Sequence, residues 1–229
     1  MTFFESFLVW MHVLLFVYWL GGDLGVFYSS RFRNSPEYDA KTRALIAKIT
    51  ANVDMAPRTT MVLMIPTGFS LVAVNGLWSS NLDWFLTLIW LFSACWLFLV
   101  WWLHLTKDLE KKKPWAKFDL SIRWLLFLVL SLSGIISLIQ NFAGMSTIYS
   151  EQWISLKILL FSLTIFCGIM IRVSAKPYIQ AFQEMLKDGS TPELEQRINK
   201  SAAAARRWVK LIWLLISLAA FIGIWKPIF

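Results

Sequence analysis

Four ionisable side chains stand inside otherwise apolar stretches of this sequence: His12, Asp23, His104 and Lys157. A charge or titratable group in such surroundings is costly, so these positions tend to mark ligand sites, proton paths or buried pairs. The imidazole of His12 suits haem iron, or else serves as hydrogen-bonding glue to a neighbouring helix. Phe16, Trp19 and Asp23 follow it at helical spacing, so one stripe would carry a histidine, two aromatic walls and a carboxylate. Lys157 either snorkels toward lipid headgroups or holds a carboxylate of a bound cofactor or substrate. His12 and Lys157 are expected at similar depth and could serve one site.

Other residues add narrower options. Met11, Met61 and Met64 are soft thioethers that suit Cu(I) beside His12, although methionine is also a common apolar filler. His104 precedes Thr106-Lys107-Asp108 and reads as an interfacial histidine, about 18 Å from the level of His12 on upright helices. Asp23 reads as solvated or paired with a basic loop residue, and Gly21 and Gly25 beside it would permit close helix contact. Pro66 and Gly68 predict a kink that, facing His12, would make room for a flat cofactor. Cys95 and Cys167 lie far apart in apolar runs and read as small hydrophobes. No phosphate-binding loop, dinucleotide fingerprint, HExxH or nucleophile elbow is present.

The elements that must position these groups follow from composition. The chain is 58% hydrophobic and 16% charged, with 14 tryptophans. Soluble domains carry about a quarter charged residues, so the apolar excess calls for lipid. Six runs reach the roughly 20 residues a spanning helix requires: 3–27, 59–78, 84–105, 121–142, 151–172 and 208–226. Tryptophans cluster at their ends, as an interfacial belt does. No Lys or Arg precedes Arg31 and the first run is long enough to span, so it is expected to remain as a span rather than a cleaved signal. The expectation is an all-α polytopic bundle.

Orientation comes from the basic residues. Of 22 Lys and Arg, 20 fall in or beside the connections between spans 1–2, 3–4 and 5–6; only Lys157 and Lys226 lie toward the other side. The positive-inside rule then places both termini in the periplasm of a bacterial inner-membrane protein. The net charge of +8 reflects this orientation rather than a nucleic-acid partner. In the first inner connection, Ser35-Pro36-Glu37 reads as a helix start, with Leu45, Ile49 and Val53 as the apolar stripe of an inner-surface helix over 36–56 that Pro57 ends. In the third, Asp188-Gly189-Ser190 reads as the turn of a cytoplasmic helical hairpin, and Pro192 starts a helix running to Trp225. Arg58 with Gly68, and Arg123 with Gly134, form a loose internal echo between spans 2–3 and 4–5.

Several segments resemble one family. Trp10-Met11-His12 with Trp19, Gly21, Gly22, Phe27 and Arg31 resembles the first span of HemJ-type protoporphyrinogen oxidases and of related CopD-like membrane proteins. Pro66-Thr67-Gly68 through Gly76-Leu77-Trp78, Trp153 to Leu160, and the ending Lys226-Pro227-Ile228-Phe229 are similar to later parts of that family. The resemblance implies a haem b held through His12, a lysine at 157 important for activity, and porphyrinogen oxidation with electrons passed into the membrane. The chain departs from the pattern by two extra spans and by Arg197-Ile198-Asn199-Lys200 where the family has Asn-Glu-x-Pro.

The leading expectation is therefore a haem b-binding membrane oxidoreductase or electron-transfer protein. His12 would be the iron ligand and Trp19 would lie against the cofactor. Lys157 would be the catalytic cation, with Arg58 and Arg123 as further partners for propionates or an acidic substrate. A quinone or another membrane redox partner would take the electrons. Copper or small-solute transport of the CopD-like kind is the alternative. A structural subunit of a larger complex, or a homo-oligomer, is the third.

Overall fold

The computed structural model describes residues 2–78 and 83–227. Ile228 and Phe229 of the terminal motif lie outside the described residues, as does the stretch 79–82 between two spans. The described chain forms seven helices: α1 (Phe3–Arg33), α2 (Ala40–Val53), α3 (Met55–Val74), α4 (Asp83–Leu105), α5 (Leu109–Phe142), α6 (Gln152–Asp188) and α7 (Pro192–Trp225). Six helical stretches, with α2 and α3 counted as one, are long and apolar enough to cross a membrane. The protein is an all-α polytopic bundle.

Each spanning helix packs on the next in sequence, and α7 returns to α1, so the six close into a ring. Short connections force that antiparallel order. Its interior holds an apolar cluster that includes Trp19, Val62, Ile65, Trp96, Cys167 and Ile216. The outer surface is apolar too. Phe98, Leu125, Leu132, Ile139 and Phe221 all point outward, which lipid tolerates and water does not.

The end of the bundle where the basic connections lie carries a second small core. Beyond their spans α6 and α7 continue as an antiparallel pair, joining Ala181, Phe182, Met185, Leu194 and Ile198. The turn between them has the expected chemistry: Gly189 at φ +94°, Thr191 capping the Leu194 amide, and Pro192 opening a helix of 34 residues. The hairpin is thus the prolongation of two spans rather than a separate unit.

Helix α2 packs on this pair through Ala40 and Ala47 and is pinned by Arg43. The Arg43 guanidinium, 1% exposed, donates to Glu195 Oε1 at 2.5 Å and through Nε to the Arg33 carbonyl at 2.9 Å. Leu45, Ile49 and Val53 remain exposed, as a lipid-facing stripe would be. Its ends differ from the sequence expectation. The Ser35 hydroxyl accepts from the Glu37 amide in a local turn, so it does not cap a helix. Asp39 takes that part by accepting the Thr42 amide at 2.9 Å, and the same Thr42 contacts hold its carboxyl below the usual range. Pro57 does not end α2; it sits in the first turn of α3, where a missing N–H leaves no bond unmade.

One further boundary lies outside its span. The helix that carries the fourth span starts at Leu109, ahead of the apolar run from 121, because Asp108 accepts the amides of Glu110 and Lys111 and nucleates a helix through the lysine-rich stretch. At the opposite end of the bundle, Ser150 donates to the Leu77 carbonyl at 3.2 Å, so the α3–α4 and α5–α6 connections touch. The internal echo does not extend to packing. Gly68 faces His12 of the preceding helix α1, whereas Gly134 faces Ser155 and Leu159 of the following helix α6.

The close contact of α1 is made by Gly22 and Gly25, not by Gly21. A Cβ at Gly22 would lie 2.6 Å from Pro57 Cδ, one at Gly25 would lie 3.2 Å from Val53 Cγ1, and one at Gly21 meets nothing within 4 Å. The Pro57 ring cannot rotate away, so Gly22→Ala must push α1 and α3 apart. A loss of about 1–3 kcal/mol is expected, typical of overpacking. Gly21→Ala should be neutral. Melting of the two variants side by side in detergent checks this; equal stability would rule out the proposed close contact.

Candidate functional site

The expected site residues separate into two neighbourhoods. The first lies in the half of the bundle away from the basic end. There α1 brings His12 against α3, with its Cε1 at 3.4 Å from where a Cβ on Gly68 would stand. His12 Nδ1 lies 2.9 Å from Thr67 Oγ1. The Thr67 hydroxyl has one proton, and it is directed to the Leu63 carbonyl at 2.8 Å, the usual back-bond of a helical threonine. With the hydroxyl proton kept on that carbonyl, Thr67 Oγ1 accepts and the imidazole carries its proton on Nδ1. Nε2 keeps its lone pair and has no hydrogen-bond partner among the described residues. It is not a sealed atom either, since the buried polar atoms without partners do not include it. An imidazole with Nδ1 held by an outer partner and Nε2 free is arranged as a metal-ligating histidine is.

The rest of the first-span stripe reaches α6. Trp19 is buried and meets Phe161 edge-on, with ring centroids 6.0 Å apart. Phe161 stands one turn from Lys157 on that helix. The Lys157 ammonium lies within electrostatic reach of His12. It also lies 5.7 Å from the centre of the Trp153 ring, with Lys226 at 5.8 Å from the same ring. The lysine chain runs against Gly223 of α7, where any Cβ would strike Nζ. His12, Trp19 and Lys157 are thus drawn from α1 and α6 toward one region.

Arg58 and Arg123 are not there. Arg58 opens α3 nine residues before Thr67, about 14 Å along the axis. Arg123 lies in a buried ion cluster that the sequence reading missed. Asp119, 0% exposed, accepts from Trp96 Nε1 at 2.8 Å, Arg123 Nε at 3.2 Å and Arg172 Nη1 at 2.6 Å. Asp119 and Arg123 are four residues apart, the spacing that pairs charges on a helix, and that was the available signal. The four lysines at 111, 112, 113 and 117 mask it, since they give 109–120 the composition of a basic loop.

Three smaller expectations also meet their surroundings. Arg123 Nη1 donates to Met61 Sδ at 3.4 Å, so that thioether is turned toward a guanidinium and away from His12. Among the described residues no three His, Cys, Asp or Glu groups converge as a metal site. Asp23 is half-buried and has no ion pair among the described residues. It lies near the indoles of Trp19 and Trp213, Trp213 Nε1 closes no hydrogen bond, and its charged neighbour is Asp54. His104 behaves as an interfacial histidine, with Nε2 3.1 Å from Asn52 Oδ1 and Trp101 edge-on to its ring.

No family model, curated protein or solved structure matches this chain. Function must then be argued from the site, since a helical bundle alone serves many purposes.

Proposed function

We propose that this protein is a multi-pass protein of a bacterial cytoplasmic membrane that holds a haem b through His12 and works in oxidation–reduction or electron transfer. The observation that carries the reading is the 2.9 Å contact of His12 Nδ1 with Thr67 Oγ1, with Nε2 left without a hydrogen-bond partner among the described residues. A bound haem would supply one-electron chemistry at that level of the bundle. The chain's own contributions are distinct. Thr67 sets the tautomer, Trp19 and Phe161 exclude water, and Lys157 offers a cation to a carboxylate of the haem or of an acidic substrate. Arg58 takes no part, given its distance along α3, and Arg123 is committed to Asp119. By the charge asymmetry of the loops, the site lies in the periplasmic half. A quinone or another membrane redox partner remains the natural electron acceptor.

Copper is the weaker reading, because Met61 is engaged by Arg123. The deciding experiment is an absorption spectrum of protein purified from a haem-replete host. A Soret band that shifts on dithionite reduction and is missing in His12→Ala supports the proposal. A colourless wild-type preparation rejects it.

A further inference from the structure

The second neighbourhood suggests a site of its own. At the basic end a cavity of about 260 Å³ opens between the α2–α3 junction, the last turn of α4, the start of α5 and the middle of α6. Arg58, Lys112 and Arg172 line it from three different helices, joined by Asp54 and His104. The local carboxylates are already committed. Asp54 accepts from Arg58 Nε at 2.7 Å, and Asp119 is shared by Arg123 and Arg172. Lys111 and Lys113 pair with Asp108 and Glu110 on their own helix, whereas Lys112 turns into the cavity and has no partner among the described residues.

The charges do not balance. Arg58, Lys112, Arg123 and Arg172 are paired only with Asp54 and Asp119, and even with Asp23 counted beside Asp54 the positive charges are in excess. Arg58 repels both Lys112 and Arg172. Cations that repel one another around a partly desolvated cavity are stabilised by an anion between them. Guanidinium groups with spare N–H donors, approaching from several sides, match an anion with several oxygens. Trp101, exposed beside the lining His104, marks the headgroup level of the membrane.

We propose that this cavity binds a phosphate-bearing anion, with Lys112 and the free N–H groups of Arg58 and Arg172 donating to its oxygens. The phosphate can come from an anionic lipid headgroup or from a soluble phosphate.

Delipidated protein in a non-ionic detergent tests this through its melting temperature. The probes are inorganic phosphate and phosphatidylglycerol, with chloride at equal ionic strength and phosphatidylcholine as controls. Binding to the folded state raises Tm with probe concentration. A rise with phosphatidylglycerol alone identifies a lipid headgroup, and a rise with phosphate alone identifies a soluble ligand. Rises with both that compete identify the phosphate group itself; each of these supports the site. Lys112→Gln and Arg58→Gln should weaken the response about tenfold, the scale of one charge-assisted hydrogen bond. Lys117→Gln, an exposed change on α5 outside the cavity, should leave it intact. Lys112 makes no hydrogen bond or ion pair among the described residues, so Lys112→Gln should not lower the probe-free Tm, and relief of its repulsion by Arg58 can only raise it. No rise with either probe, or a rise that Lys112→Gln does not alter, overturns the proposal. His12 is untouched throughout, so this result is independent of the haem reading.

Discussion

Asp119→Ala is expected to cost about 3–5 kcal/mol, more than any other single substitution considered for this chain, because it strands two guanidinium groups beside the apolar core. Asp119 accepts from Arg123, Arg172 and Trp96 and has no access to solvent. Arg123 is 5% exposed and Arg172 31% exposed, so neither can recover full hydration after the carboxylate is lost. Asp119→Asn should be less severe, since the amide oxygen can still accept from Trp96 while the charge is gone. The double variant Asp119→Ala with Arg123→Met should recover much of the loss, as removing a buried pair together avoids the lone charge. Denaturant or thermal unfolding in detergent gives the three values. A cost below about 1 kcal/mol for Asp119→Ala would mean that the cluster does not hold α4, α5 and α6 together.

The second large effect is spectroscopic. His12→Ala should abolish the Soret band altogether, while Thr67→Val should leave a band of reduced occupancy and altered position. Valine keeps the shape of threonine but removes the oxygen that receives Nδ1–H. The imidazole then loses its fixed tautomer and orientation, and outer-partner losses of this kind weaken metal affinity about 10- to 100-fold. Titrating haem into apo-protein of each variant separates the two results. Equal affinity in wild type and Thr67→Val would remove Thr67 from the site, and equal affinity in His12→Ala would remove the site.

Much of the architecture is legible from single residues. Gly189, Thr191 and Pro192 mark the α6–α7 turn, because a positive φ, a side-chain cap and a fixed first φ each need a particular residue type. The six spans follow from run length, because lipid admits only helices that satisfy their own backbone. Helix α5 shows where such reading stops. Its first turns carry lysines and a glutamate, and only the cap at Asp108 reveals that they are helical. Asp119 lies two residues before the apolar run, so its pairing with Arg123 rests on a helical start that hydropathy does not show.

Local sequence thus determined which segments cross the membrane, which end is basic and where the turns fall, since those depend on neighbouring residues alone. It also named His12 and Lys157 as unusual. Only the tertiary structure decided their company. The oxygen that sets the His12 tautomer lies 55 residues away, and Arg172 reaches Asp119 from a different helix. Arg58 and His12 are both candidates for one cofactor, yet α3 sets Arg58 about 14 Å along its axis from Thr67, the residue that meets His12 on α1. Such pairings depend on helix rotation and register within the ring, which arise from packing across the whole bundle and leave no mark on any one stretch of chain.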